Sequence, residues 1–110
     1  MALKLVKRNK LLVHVKGSQT GEDGKSVPFD FKLHCARLTQ EEMDETLGDK
    51  KESVAAFMKR VTTGWEAVLD EANQPLPFSE ENFASVLSEA GMPIVCFQSY
   101  LKDVGATVKN

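Results

Sequence analysis

The stretch GSQTGEDGKS, residues 17–26, follows the apolar run LLVHV and ends in Gly-Lys-Ser, the residues that close a phosphate-binding loop. Such a loop reads G-x-x-x-x-G-K-[ST] after a strand and opens a helix, because its backbone N–H groups and the helix N-terminus must face the phosphates together. Here six residues separate Gly17 from Gly24, Gln19 stands where the first glycine belongs, and Glu22 and Asp23 would repel a nucleotide. Beyond the loop, Val27, Phe29, Phe31, Leu33 and Cys35 alternate with Asp30, Lys32 and His34, which is the period of a strand. The stretch therefore reads as the loop of a β-hairpin. His14 and His34 fall on the polar sides of the two strands and would pair only in one register, and nothing between them supplies a third metal ligand. They read as half-exposed strand histidines. Cys35 has His34 beside it, but neighbours along a strand point to opposite faces, so the two cannot act as nucleophile and base. Glu41, Glu42, Asp44 and Glu45 gather where a helix begins, as acids do for electrostatic reasons alone, and read as a solvated face. No residue is assigned as catalytic, cofactor-binding or metal-binding, and a non-enzymatic role is expected.

The 110 residues suit a single domain, 1–110, large enough to bury ~65% of its unfolded surface in one core. A net charge of -2 lacks the basic excess that phosphate neutralisation demands, which argues against nucleic acid as a partner. No apolar run approaches ~18 residues, and Lys4, Lys7, Arg8 and Lys10 interrupt any signal-peptide core, so no membrane partner and a cytosolic location are expected. Cys35 and Cys96 lack a C-x-x-C partner and read as reduced, buried thiols.

The elements that must hold these residues are an α+β set. A first strand is placed at residues 11–15 and its partner at residues 27–35, with Pro28 at a start or an edge because it has no backbone donor. Residues 1–10 alternate only in part and either extend the strand or form a loose arm. In RLTQEEM, Thr39 and Glu42 make a capping box flanked by Leu38 and Met43, and Gly48 ends the helix. A second box at Asp49 and Glu52 opens a helix through Val54, Phe57, Met58 and Val61, stopped by Gly64. WEAVLDEANQPLPF returns to alternation as a third strand, with a turn at residues 72–74. Ser79 caps a third helix with the stripe Phe83, Val86, Leu87 and Ala90, closed by Gly91, and Pro93 opens a fourth. Residues 104–110 carry neither cap nor period and read as a flexible tail. The prediction is a small antiparallel sheet of about three strands, a hairpin plus one, with about four helices.

Phe83, Leu87, Ile94, Phe97, Tyr100 and Leu101 are core candidates first, because helical spacing of apolar residues is what core helices need. The last helix is apolar on more than one side, however, and such a helix contacts two things, of which the second is often another chain.

In order and spacing, FDFKLHCARLTQEEMDE, VTTGWEAVLDEANQPLPFSEENFASVLSEAGMP and FQSYLKDVGATVKN resemble the tail assembly chaperones of long-tailed bacteriophages, over roughly three quarters of the chain. The resemblance departs at the last helix, where Cys96, Phe97, Gln98 and Ser99 precede Tyr100 in place of small, Ala-rich residues. It implies a non-enzymatic protein of the host bacterial cytoplasm that binds and solubilises the tape measure protein and helps recruit tail tube subunits. It also implies a frameshifted longer form, for which the codons of Lys109 and Asn110 would supply an A-rich slippery run. On that reading the six apolar residues above bind the partner, rimmed by Glu80, Glu81 and Asp103. The competing expectation is a structural tail subunit that self-assembles into rings or tubes through the hairpin loop and the N-terminal arm.

Overall fold

A computed structural model describes residues 2, 3, 9–48 and 52–105. The chain runs β1 (Lys10–Thr20), β2 (Ser26–Ala36), α1 (Gln40–Gly48), α2 (Val54–Val61), β3 (Thr62–Glu66), α3 (Glu80–Leu87) and α4 (Met92–Val104). This is the expected α+β class, a three-stranded antiparallel sheet in the order β1-β2-β3 with four helices among the described residues.

Alternation decides the sheet. Leu11, Val13 and Val15 of β1 and Phe31, Leu33 and Cys35 of β2 point to one face and are buried, while Leu12, His14, Lys16 and His34 on the other face stay exposed. The hairpin ladder runs unbroken from Lys10 opposite Ala36 to Thr20 opposite Ser26. Both strands are thus longer than the apolar run alone suggests, because cross-strand pairing continues past the last core residue. The loop between them is closed by Gly21 N–H donating to Lys25 C=O at 2.8 Å, with Gly24 at φ 80 and Asp23 accepting from Lys25 N–H. Gly17 lies inside β1 and a strand follows Ser26, so the Gly-Lys-Ser sequence is a hairpin turn.

Arg37 N–H donates to Asn9 C=O, which makes the odd-numbered residues of β1 and β2 the hydrogen-bonded pairs. Pro28 therefore turns its missing donor toward the far side of β2, where β3 reaches only as far as Lys32. The same parity leaves the even-numbered N–H groups of β1 on the free edge. One of them, His14 N–H, donates to Asp103 of α4 at 2.9 Å. Asp103 thus faces the free edge of β1.

The Thr39–Glu42 capping box forms as expected, each residue's side chain accepting from the other's backbone N–H, and these bonds hold the Glu42 carboxyl below its ordinary pKa. The second helix differs from expectation. Its cap is Ser53, which accepts from Ala56 N–H at 3.1 Å, and Glu52 instead grips Arg60 through two hydrogen bonds of 3.0 and 3.1 Å. Asp49 lies outside the described residues. Nor does Gly64 stop α2: the helix ends at Val61 and Thr62 passes directly into β3, where Gly64 sits beneath the His34 ring. The third strand is displaced toward the N-terminus of its expected place for the same reason, and Ala67 at φ 64 breaks it before the expected alternation can continue. Leu69 and Pro75 then bridge a small ribbon, turned by Asp70, whose carboxylate accepts from the N–H groups of Ala72 and Gln74.

Ser79 caps α3 as expected, accepting from Asn82 N–H, and the Phe78 and Phe83 rings meet at 5.7 Å. Gly91 does not close α3, which ends at Leu87. At φ 84 it precedes Met92 as the N-cap of α4, and Ala90 is exposed. Lys10 belongs to β1 and Val104 to α4, so neither the arm nor the tail includes them; residues 1, 4–8 and 106–110, where both were expected, lie outside the described ones. The helices cover the apolar face of the sheet, and the core joins the strand residues to Phe57, Met58, Val61, Phe83, Leu87, Met92, Cys96 and Tyr100.

Candidate functional site

Two opposed sides of α4 do different work. Met92, Cys96 and Tyr100 recur every four residues and are buried, which places that side in the core. Ile94, Phe97 and Leu101 follow the i, i+3, i+7 spacing of a second stripe. Ile94 is 55% exposed, while Phe97 and Leu101 are half-buried. The Phe97 ring stands edge-on to Phe57 of α2 at 5.3 Å, which fixes its direction while leaving one side open.

The six apolar residues singled out from the sequence are therefore divided. Phe83, Leu87 and Tyr100 are core residues with almost no accessible surface. Tyr100 is the most constrained of them. Its hydroxyl donates to Ala36 C=O at 2.8 Å and accepts from Leu38 N–H at 3.3 Å, and its ring meets Phe57 edge-on. Burial raises its pKa. Ile94, Phe97 and Leu101 remain as a stripe that a partner can reach.

A second open surface was not foreseen. A groove of ≈ 660 Å³ lies between the turn half of the hairpin, the 69–75 ribbon and α3, with Phe29, Val68, Leu69, Leu76, Val86 and Met92 among its apolar lining. Each wall has a local cause. The Phe29 ring lies across Gly17, where an added Cβ would come within 2.7 Å of Cζ, so the glycine gives the ring its place. Trp65 donates from its indole Nε1 to Leu76 C=O at 2.8 Å and pins the ribbon to the sheet. Leu69, at 53% exposed, stands at the groove mouth. The signal in the sequence was the apolar alternation of Val27 and Phe29 at the margin of the core, which marked a strand but not what its outer half faces. A further groove of ≈ 770 Å³ between α2 and α3 mixes Lys59 and Arg60 with Glu80.

The residues first weighed for chemistry are not brought together. His34 Nε2 lies 3.0 Å from Glu66 on the exposed face, whereas His14 stands opposite Lys32. Among the described residues no group of three or more His, Cys, Asp or Glu is placed to hold a metal ion. Both cysteines are buried and free, and burial pushes the Cys35 thiol up to about 11 and the Cys96 thiol up to about 12. Thiols so shifted are protonated at neutral pH and do not act as nucleophiles. No helix among the described residues is long and apolar enough to cross a membrane. No family model, curated protein or solved structure matches the chain.

Proposed function

We propose that the chain is a non-enzymatic tail assembly chaperone of a long-tailed phage or prophage, working in the host bacterial cytoplasm. It holds the tape measure protein in solution and helps bring tail tube subunits to it. The observation that carries this reading is the second apolar stripe of α4, Ile94, Phe97 and Leu101, which the fold leaves accessible while the opposite side of the same helix builds the core. The order of helix caps, Gly-Trp segment and aromatic last helix in the sequence agrees with it.

The energetics suit a temporary partner. Covering the exposed parts of Ile94, Phe97 and Leu101 contributes on the order of 2–3 kcal/mol, less than the ~4 kcal/mol or more that association costs in lost freedom, so a single contact of this kind is weak. One such contact releases easily. A very long partner with repeated amphipathic helical surface accepts many copies, and their combined hold keeps it soluble until tube subunits displace them.

A structural tail subunit is the second reading, favoured by the half of the hairpin that extends beyond the core, where Val27 is 52% exposed. Affinity capture of the tagged chain from cells producing the parent phage, paired with mass spectrometry of purified particles, separates the two. Recovery of the tape measure protein together with absence from particles supports the chaperone. Abundance of the chain in particles without tape measure capture overturns it.

A further inference from the structure

The groove between the hairpin, the ribbon and α3 has Asp70, Glu71 and Glu89 around its apolar floor and, among the described residues, no Lys or Arg lining it; Asp30 borders it from the other face of the sheet, where it stands opposite Lys16. The nine residues ahead of β1, MALKLVKRN, carry the reverse pattern: Lys4, Lys7 and Arg8 with no acid, interleaved with Leu3, Leu5 and Val6. We propose that the segment ahead of β1 in one copy docks into this groove on a second copy, so that the protein associates head to tail.

Charge is the first argument. In a chain whose net charge is only -2, three carboxylates around one groove, with no Lys or Arg among its described lining residues, form a concentrated negative field over an apolar floor. Such a field selects a ligand that is both apolar and cationic. Position is the second. The segment leaves the domain at Asn9, whose C=O accepts from Arg37 N–H, at the end of the hairpin away from its turn. The groove takes in Gln19 and Phe29, at the turn half. A strand from Lys10 to Gln19 covers about 30 Å at ~3.3 Å per residue, and eight extended residues reach at most about 28 Å. A copy's own segment would have to reverse and run back along its hairpin, whereas a neighbour's enters directly. Leu3, a large aliphatic side chain in the same segment, is 90% exposed in the single chain and so is free to enter an apolar groove on a neighbour.

Because Asn9, from which the segment departs, and the groove lie at opposite ends of the hairpin, the contact is heterologous. It closes into a ring or grows as an open string, unlike a two-fold dimer. It uses a surface other than the α4 stripe, so it stands or falls apart from the chaperone reading.

The test is sedimentation of the purified full chain alone, over a range of concentrations at low salt and at about 1 M salt, where the Debye length shrinks to about 3 Å. Two charge-reversed variants accompany it, K4E/K7E/R8E in the segment and E71K/E89K in the groove; both groove positions are exposed. The native chain is expected to associate with rising concentration and to lose association at high salt. Each variant is expected to associate at least ten-fold more weakly, with unchanged circular dichroism. An equal mixture of the two variants restores association, since each segment then meets a groove of opposite charge. A native chain that stays monomeric throughout overturns the proposal and leaves the groove to a basic segment of another protein. Variants that associate like the native chain, or a mixture that does not recover, also overturn it.

Discussion

Replacing Tyr100 by Phe removes one oxygen atom from the centre of the molecule and keeps the ring. The ring's edge-on contact with Phe57 at 5.4 Å survives. What is lost is the link from α4 to the chain between β2 and α1, because Ala36 C=O loses its donor at 2.8 Å and Leu38 N–H its acceptor at 3.3 Å. Leaving partly buried groups without partners costs ~1–3 kcal/mol, and we take about 2 kcal/mol for the pair. For 110 residues an unfolding entropy of ~2.1 cal/mol/K per residue gives ~0.23 kcal/mol/K, so 2 kcal/mol lowers Tm by about 9 °C. Tyr100→Ala also empties the ring site and costs ~3–5 kcal/mol, a large share of the ~5–15 kcal/mol that holds a domain of this size. Urea and thermal unfolding followed by circular dichroism measure both, with tape measure binding tested on the folded fraction. A shift below about 2 °C for Tyr100→Phe, or lost partner binding at unchanged stability, refutes the assignment of Tyr100 to the core.

The buried thiols make stability fall at alkaline pH. Below pH ~9 both thiols are protonated, folded or unfolded; above it the unfolded chain releases protons that the fold retains until about 11 at Cys35 and about 12 at Cys96. Each then removes ~1.4 kcal/mol per pH unit. Urea unfolding from pH 8 upward should show this decline, and Cys96→Ala should roughly halve its slope between pH ~9 and ~10, below the range where Tyr100, also raised by burial, adds to it; a flat profile contradicts it. Gly91 caps α4 at φ 84 with nothing within 4 Å of an added Cβ, so Gly91→Ala should cost ~1–2 kcal/mol through backbone strain alone, and an unchanged urea midpoint contradicts that reading.

The fold was legible wherever a pattern was local and redundant. Alternation gave the hairpin, and the side chains of Thr39, Glu42 and Ser79 gave two helix starts, because a cap satisfies donors within its own turn. Misplacements came where local signals competed. Asp49 and Ser53 both precede the second helix, and only packing of Phe57 and Met58 into the core settles where it starts. Gly64 resembles a helix stop, but its lack of a side chain serves the His34 ring across the sheet, a contact between residues distant in sequence. The site was half legible. Apolar spacing named the residues of α3 and α4, but it cannot distinguish Tyr100, facing the sheet, from Ile94, facing out, until the helix is placed. The groove depends on Gly17, Phe29, Leu69 and Val86, which no single element brings together.

The account rests most on the outer stripe of α4, and the most direct measurement is co-expression of the chain with the tape measure protein that the proposed function requires, scored by the soluble tape measure fraction. Ile94 is 55% exposed, so Ile94→Asp should leave stability within ~0.5 kcal/mol of the native value while placing a charge in the stripe. The account predicts soluble tape measure protein with the native chain and precipitated protein with Ile94→Asp. Equal solubility with both, or none with either, contradicts it.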